Sequence, residues 1–227
     1  MTRLTIMLLT HASDMKSPRV KYAERTIKAT LDHLKFDGEI SVHIADDGSP
    51  ERHRENLKKI AGGYAHVHSV GVTNAEGRGY GASYNLATQA VHPGVDFVLP
   101  LEDDWELRED LDVSPYIEAL RQGYNCVRLG YIGFTQPLAA VFQSVAGQVY
   151  LAFDPNSPEP HVWAGHPRLE TVQFQRSVGP WPEGVDAGST EFTVARRANA
   201  RAGIAWPFAY RNLYAHIGTV QARSDQS

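Results

Sequence analysis

Hydrophobic and polar positions follow two periods along the first half of the chain. Arg3-Leu4-Thr5-Ile6-Met7-Leu8-Leu9-Thr10 is a near-continuous apolar run, the pattern of a parallel strand covered on both faces. Ser17-Pro18 supplies an N-cap and a first-turn proline, and Val20, Ile27, Leu31 and Leu34 then recur at helical spacing up to Asp37-Gly38. Residues 40–45 predict a second strand, which ends in Asp46-Asp47-Gly48-Ser49-Pro50. Leu57, Ile60 and Ala61 stripe a second helix that Gly62-Gly63 closes. Residues 65–72 predict a third strand, and Tyr84, Leu86, Ala87 and Ala90 a third helix. Phe97-Val98-Leu99-Pro100-Leu101 is again a buried strand and stops abruptly at Glu102-Asp103-Asp104. Strands alternating with helices imply a parallel sheet with right-handed crossovers.

The pattern changes in the second half. A helix at about 115–122 and a strand at 126–131 are followed, from 133 to 181, by short alternating runs such as 148–153 and 171–174, with many prolines and aromatics. Such a stretch predicts a mixed, partly antiparallel region with long loops. A last helix is expected at 192–202. With no internal repeat or low-complexity linker, residues 1–112 and 113–227 are expected to be two halves of one continuous domain.

Composition narrows the function classes. The 227 residues are 42% hydrophobic and 21% charged, with a net charge of −4, which gives no whole-molecule attraction to nucleic acid or anionic membrane. All lysines precede residue 60, so the positive charge of the second half is entirely arginine. Cys126, the only cysteine, excludes an intrachain disulfide and reads as a buried strand thiol. The Leu4 to Leu9 run is too short for a membrane span and has no signal-peptide cleavage pattern. A soluble, cytoplasmic protein is expected.

Chemistry concentrates at strand ends. Three consecutive acids after a buried strand must sit at its carboxyl edge, where ligands bind in open α/β sheets. Their mutual repulsion would be relieved by a hard divalent cation, or the acids form a solvated turn that caps the next helix. Gly77, Gly79 and Gly81 at alternate positions before a helix either let the backbone approach a phosphate or simply permit a tight turn.

Strand one with Thr10, His11 and Ala12 at its end, Asp46-Asp47-Gly48-Ser49, the glycine-rich segment running to Asn85, and Leu101-Glu102-Asp103-Asp104 occur in a fixed order. Together they resemble the nucleotide-sugar-binding half of GT-A fold glycosyltransferases, particularly family 2. The resemblance implies an α/β, Rossmann-like, mostly parallel sheet flanked by helices, with a mixed acceptor-side half. It also implies donor contacts from Thr10, His11, Ala12, Asp46, Asp47, Arg78, Asn85, Glu102 and Asp103, although Arg78 is equally readable as an exposed arginine. Glu102 stands where the first Asp of the metal motif is usual, leaving Asp104 as the direct metal ligand.

Gly165-His166-Pro167-Arg168, residues 178–184, Ser189-Thr190-Glu191-Phe192 and Arg196 look like the acceptor half of that family. Glu191 matches the Glu of its Glu-Asp pair and is the expected catalytic base, with Asp186 in reserve because Phe192 replaces the Asp. The alternative for Glu191 is a first-turn helix charge. Tyr214-Ala215-His216-Ile217-Gly218 resembles the late His that completes the metal site, which tilts the cation, Mn2+ or Mg2+, toward Mn2+. The alternative for His216 is a histidine satisfying a core or helix end. Trp105, Trp163 and Trp181 either stack on a sugar or base or fill the core.

The implied activity is metal-dependent, inverting transfer of a sugar from a nucleoside diphosphate, UDP being expected, to an acceptor hydroxyl. The expected acceptor is a saccharide or glycoconjugate, and the arginine-only half also allows a hydroxymethylated base in DNA. A nucleotidyltransferase would need a glycine-rich signature after strand one, which Leu9-Thr10-His11-Ala12-Ser13 lacks. A non-catalytic nucleotide-sugar-binding protein is the remaining alternative.

Overall fold

The computed structural model describes residues 1–91, 93–130, 136–199, 203–207 and 212–218. The first half runs β1 (Arg3–Thr10), α1 (Pro18–His33), β2 (Leu34–Lys35), β3 (Glu39–Asp46), α2 (Glu51–Gly62), β4 (Val67–Asn74), α3 (Tyr80–Val91), β5 (Phe97–Glu102), β6 (Trp105–Leu107) and β7 (Leu111–Asp112). The second half runs α4 (Ser114–Arg121), β8 (Cys126–Arg128), β9 (Ala140–Val145), β10 (Gln148–Phe153), β11 (Arg168–Thr171), α5 (Val172–Val178), α6 (Ala187–Asn199), β12 (Ile204–Pro207) and β13 (Tyr214–His216). Among the described residues, nine strands form one sheet in the order β4-β3-β1-β5-β11-β8-β12-β10-β9.

Period-two alternation assigns side chains to the two faces of this sheet. Leu4, Ile6 and Leu8 of β1 and Phe97, Leu99 and Leu101 of β5 pack with Ile27 and Leu31 of α1, Leu57 of α2 and Ile117 of α4. Met7, Leu9 and Val98 face the other way, with Tyr84 and Ala87 of α3, Phe174 of α5 and Val194 of α6. The result is a parallel β4-β3-β1-β5 sheet covered on both faces, followed by antiparallel β11 between β5 and β8. This is the α/β architecture of a mostly parallel sheet with a mixed second half.

Two expected elements differ. Residues 171–174 are not a strand: β11 ends at Thr171, whose hydroxyl accepts a hydrogen bond from the Phe174 backbone N–H at 3.1 Å and caps α5. The last helix begins at Ala187, not at 192. Asp186 sets its start by accepting from Ser189 N at 2.9 Å, so Glu191 lies inside the helix and not ahead of it. The expected helix end at 200–202 and strand end at 131 lie outside the described residues.

A separate antiparallel pair, β6 with β13, places His216 opposite Trp105. That register carries His216 to the carboxyl end of β5.

Candidate functional site

The carboxyl ends of β1, β3 and β5 converge, and their acids take different directions. Asp46 is fully buried, and its Oδ2 accepts from Gly48 N at 3.1 Å, Ser49 N at 3.0 Å and the Arg54 guanidinium at 3.2 Å. It shapes the turn. Asp47 is half-buried and accepts from Gly79 N at 3.0 Å, while its carbonyl accepts from His11 Nδ1 at 2.7 Å. It therefore ties the glycine loop to the end of β1. Ala12 is buried, its N–H bonded to Ser49 Oγ at 2.9 Å.

Gly77 and Gly79 adopt φ of +76° and +95° with open space around them. Gly81, by contrast, packs directly against the Pro182 carbonyl, where a Cβ would overlap it. Two of the three glycines thus serve the loop, and the third serves helix packing. Arg78 is exposed, its Nε donating to Ala75 O at 3.1 Å. Asn85 bonds Trp181 N and O at 2.9 Å each and Glu183 Oε1 at 2.8 Å. It clamps α3 to the segment before α6, which is a positioning role.

Asp103 and Asp104 split. Fully buried Asp103 accepts from Thr10 Oγ1 at 2.8 Å and His11 N at 3.2 Å and pairs with the Arg19 guanidinium. It fastens β5 to β1 and α1. Asp104 Oδ2 lies 3.3 Å from His216 Nε2 and 3.8 Å from the Arg19 guanidinium, while its buried Oδ1 has no hydrogen-bond partner among the described residues. Gly218 leaves the space beside it, since a Cβ there would run into Asp104 Oδ2. An orphaned carboxylate oxygen next to an imidazole fits a divalent cation. No group of three or more His, Cys, Asp or Glu is placed to hold one among the described residues. Asp104 and His216 would thus form a two-residue site needing further oxygens from a bound ligand.

Across from this pair, Glu102 and Glu191 meet at Gly165. A Cβ on Gly165 would lie 3.0 Å from Glu102 Oε1, 3.1 Å from Glu191 Oε1 and 3.3 Å from the Tyr80 hydroxyl. A side chain there would have to push these groups back by a few tenths of an ångström. Gly165 N–H donates to Glu191 Oε1, and the Tyr80 hydroxyl donates to Glu102 Oε1 at 3.1 Å. Burial, together with the Glu191 and Asp104 carboxylates, pushes the Glu102 carboxyl up to about 8. Asp186 is exposed and bonds Ser189 instead of joining this group.

The sequence placed Gly165-His166-Pro167-Arg168 in the acceptor half but marked neither Arg168 nor Arg128 as the scaffold behind Gly165. Buried Arg168 donates to the carbonyls of Gly165 at 2.9 Å and His166 at 3.2 Å, pairs with Glu170 at 2.8 Å and reaches the Tyr84 hydroxyl at 2.8 Å. Buried Arg128 donates to the carbonyls of His161 and Val162 at 2.9 and 2.8 Å and to His166 Nδ1 at 2.9 Å. An arginine within the otherwise apolar run 126–129 was the available signal, since a buried charge must be paired or hydrogen-bonded. Trp163 and Trp181 are buried against Arg168 and Tyr84 and fill the core. Trp105 is also buried, its ring 5.1 Å from those of His166 and His216.

This arrangement on this sheet is a GT-A fold. The model of the family described as glycosyl transferase family 2 matches residues 19–165, and the chain belongs to that family. Among solved structures, S. aureus TarS superposes with a TM-score of 0.68 at 15% identity, over 96% of this chain and 37% of that one. S. aureus TarS 1-349 in complex with UDP-GlcNAc gives 0.66 at 15% identity, over 97% and 62%. GalNAc-T7 with UDP, GalNAc and Mn2+ gives 0.66 at 12% identity, over 97% and 44%. The chain thus spans less than two thirds of each of these proteins, and at such identities the likeness is one of fold. No curated protein matches the chain in sequence.

Proposed function

We propose that this chain is a metal-dependent glycosyltransferase that moves a sugar from a UDP-linked donor to an acceptor hydroxyl with inversion. The observation that carries this reading is the Asp104–His216 pair close to Glu102, which meets Glu191, held by the Gly165 N–H, at Gly165. The solved structures bearing UDP, UDP-GlcNAc or Mn2+ support the choice of donor and cation.

Asp104 and His216 would hold the cation. When bound, it supplies Lewis-acid stabilisation of the charge that develops on the leaving diphosphate. The turn at Asp46-Asp47 and the loop at Gly77 to Gly79 form the nucleoside side of the cleft, with Thr10, His11, Ala12 and Asp103 building its floor. Glu102 and Arg78 are the remaining donor-side groups.

Gly165 N–H holds Glu191 Oε1, leaving Oε2 to take the proton of the acceptor hydroxyl as its oxygen bonds the anomeric carbon. The bond from that carbon to the diphosphate oxygen breaks in the same step. One displacement from the face opposite the leaving group inverts the centre. A saccharide or glycoconjugate hydroxyl is the acceptor of this reading. The single buried thiol, Cys126, is in keeping with a cytoplasmic setting.

Calorimetry of UDP with and without Mn2+, followed by a mass-spectrometric screen of donor hydrolysis across nucleotide sugars, tests this. Mn2+-dependent UDP binding and hydrolysis of at least one UDP-sugar are expected. UDP binding that ignores the metal would overturn metal dependence, and no UDP binding would overturn the reading.

A further inference from the structure

His166 lies between the two arms of the site. The preceding residue donates its N–H to Glu191, while the His166 ring packs 5.1 Å from that of Trp105, which follows Asp104 and also touches His216. The backbone around the ring is held from two sides. Arg168 bonds the carbonyls of Gly165 and His166, and Leu129 N and Gly130 N bond the Pro167 carbonyl at 2.8 and 3.2 Å.

The side chain has a fixed tautomer. Its Nδ1 lies 2.9 Å from Arg128 Nη2, and a guanidinium can only donate, so Nδ1 accepts and the ring proton is on Nε2. Burial first, then the Arg128 and Arg168 charges, push the imidazole down to about 3, so the ring stays neutral through the physiological range. Nε2 makes no hydrogen bond to the described residues, and the residue is only half-buried. A neutral donor locked in place by a buried arginine, half-buried and without a partner among the described residues, is suited to a ligand's acceptor.

Granting the nucleotide-sugar donor proposed above, we propose that His166 reads the transferred sugar: its Nε2–H donates a hydrogen bond to one hydroxyl of that ring. The location favours the sugar over the nucleoside, because His166 stands between the metal-ligand pair and the base, where the anomeric carbon has to lie. It is a specificity contact and takes no part in the proton transfer.

The test compares the parent protein with His166→Phe and His166→Gln. UDP affinity is measured by calorimetry, and competition binding is run with UDP-glucose, UDP-galactose and UDP-N-acetylglucosamine and with the monodeoxy analogues of whichever binds best. The parent should lose about 3- to 10-fold in affinity for one deoxy position, the scale of one neutral hydrogen bond. His166→Phe should bind that analogue and its parent sugar equally, with UDP affinity unchanged and a lowered melting temperature because Arg128 Nη2 loses its acceptor, and His166→Gln should recover part of both the discrimination and the stability. A His166→Phe protein that keeps the parent's ranking at every hydroxyl overturns the assignment while leaving the donor reading standing. Failure of the parent to bind UDP at all removes both.

Discussion

Neighbouring acids in one turn do different work because each answers to a different partner. Asp103 is locked to Arg19, Thr10 and His11 N, whereas Asp104 sits between His216 and the more distant edge of Arg19 with one oxygen unpaired among the described residues. Asp104→Asn should therefore abolish the Mn2+ enhancement of UDP binding with the fold intact, as read by calorimetry beside a melting curve. Asp103→Asn should instead destabilise, by ~1–3 kcal/mol in denaturant titration, because it takes the nearer carboxylate from a nearly buried guanidinium and leaves Asp104 at 3.8 Å as its ion-pair partner. Glu191→Gln keeps size and the Gly165 hydrogen bond, so transfer should fall ~10²-fold or more while donor affinity barely changes. Asp186→Ala should do the reverse, retaining kcat and losing ~1 kcal/mol of stability with the cap of α6. Full transfer by Glu191→Gln would remove the carboxylate-base mechanism. The acids themselves were legible in the sequence as charge at the ends of apolar runs. Which way each one turns was not, because Arg19, His216 and Gly165 approach from elements far along the chain.

Elements place these residues, and the tightest junction is between α3 and the segment entering α6. Gly81 touches the Pro182 carbonyl, and Asn85, one turn on, bonds the backbone of Trp181 on both its N–H and C=O. Tyr84 stacks on Trp181 at 3.6 Å between the two. Gly81→Ala must push a rigid backbone away and should cost ~1–3 kcal/mol or more by overpacking. It should also impair transfer, because the same segment leads into Glu191. Melting temperature and transfer rate measured together check this, and a variant with parent values for both would show that the junction yields. The alternating strands and helices of the first half were readable because local periodicity decided them. Antiparallel β11 was not, since Arg168-Leu169-Glu170-Thr171 carries two charges into the sheet. Its burial follows only once Arg168 and Glu170 pair with each other and with Tyr84 and Trp163. The start of α6 was hidden for a similar reason: a carboxylate ahead of a helix suits a cap and a base alike, and only the bond from Ser189 N makes Asp186 a cap.

Across the whole molecule, buried titratable groups of opposite sign set the response to pH. Burial pushes the His43 imidazole down to about 4 from an ordinary value near 6.5, and His53 is lowered for the same first cause. Between those two values the unfolded chain binds a proton at His43 that the folded protein does not, so the stability from neutral His43 is present above about 6.5 and is lost as pH falls toward 4. Glu102, pushed up to about 8, and Asp103, to about 6, run the other way. Their contribution is present at low pH and is lost as pH rises through those values, so the net curve of the parent is flatter than any single group implies. A difference between variants isolates one group. His43 Nε2 is 3.0 Å from the Thr73 hydroxyl, and Gly71 leaves the room beside its Nδ1, so His43→Gln removes the titration with little change in packing. Relative to its own value at pH 7.5, the parent should lose ~2 kcal/mol more than His43→Gln by pH 5, because the unfolded imidazole titrates near 6.5 and each further pH unit below that costs ~1.4 kcal/mol. Urea unfolding of both proteins at the two pH values measures it. Parallel stability curves would mean that His43 is charged in the folded sheet, and the acid sensitivity would then have to come from His53 and His166.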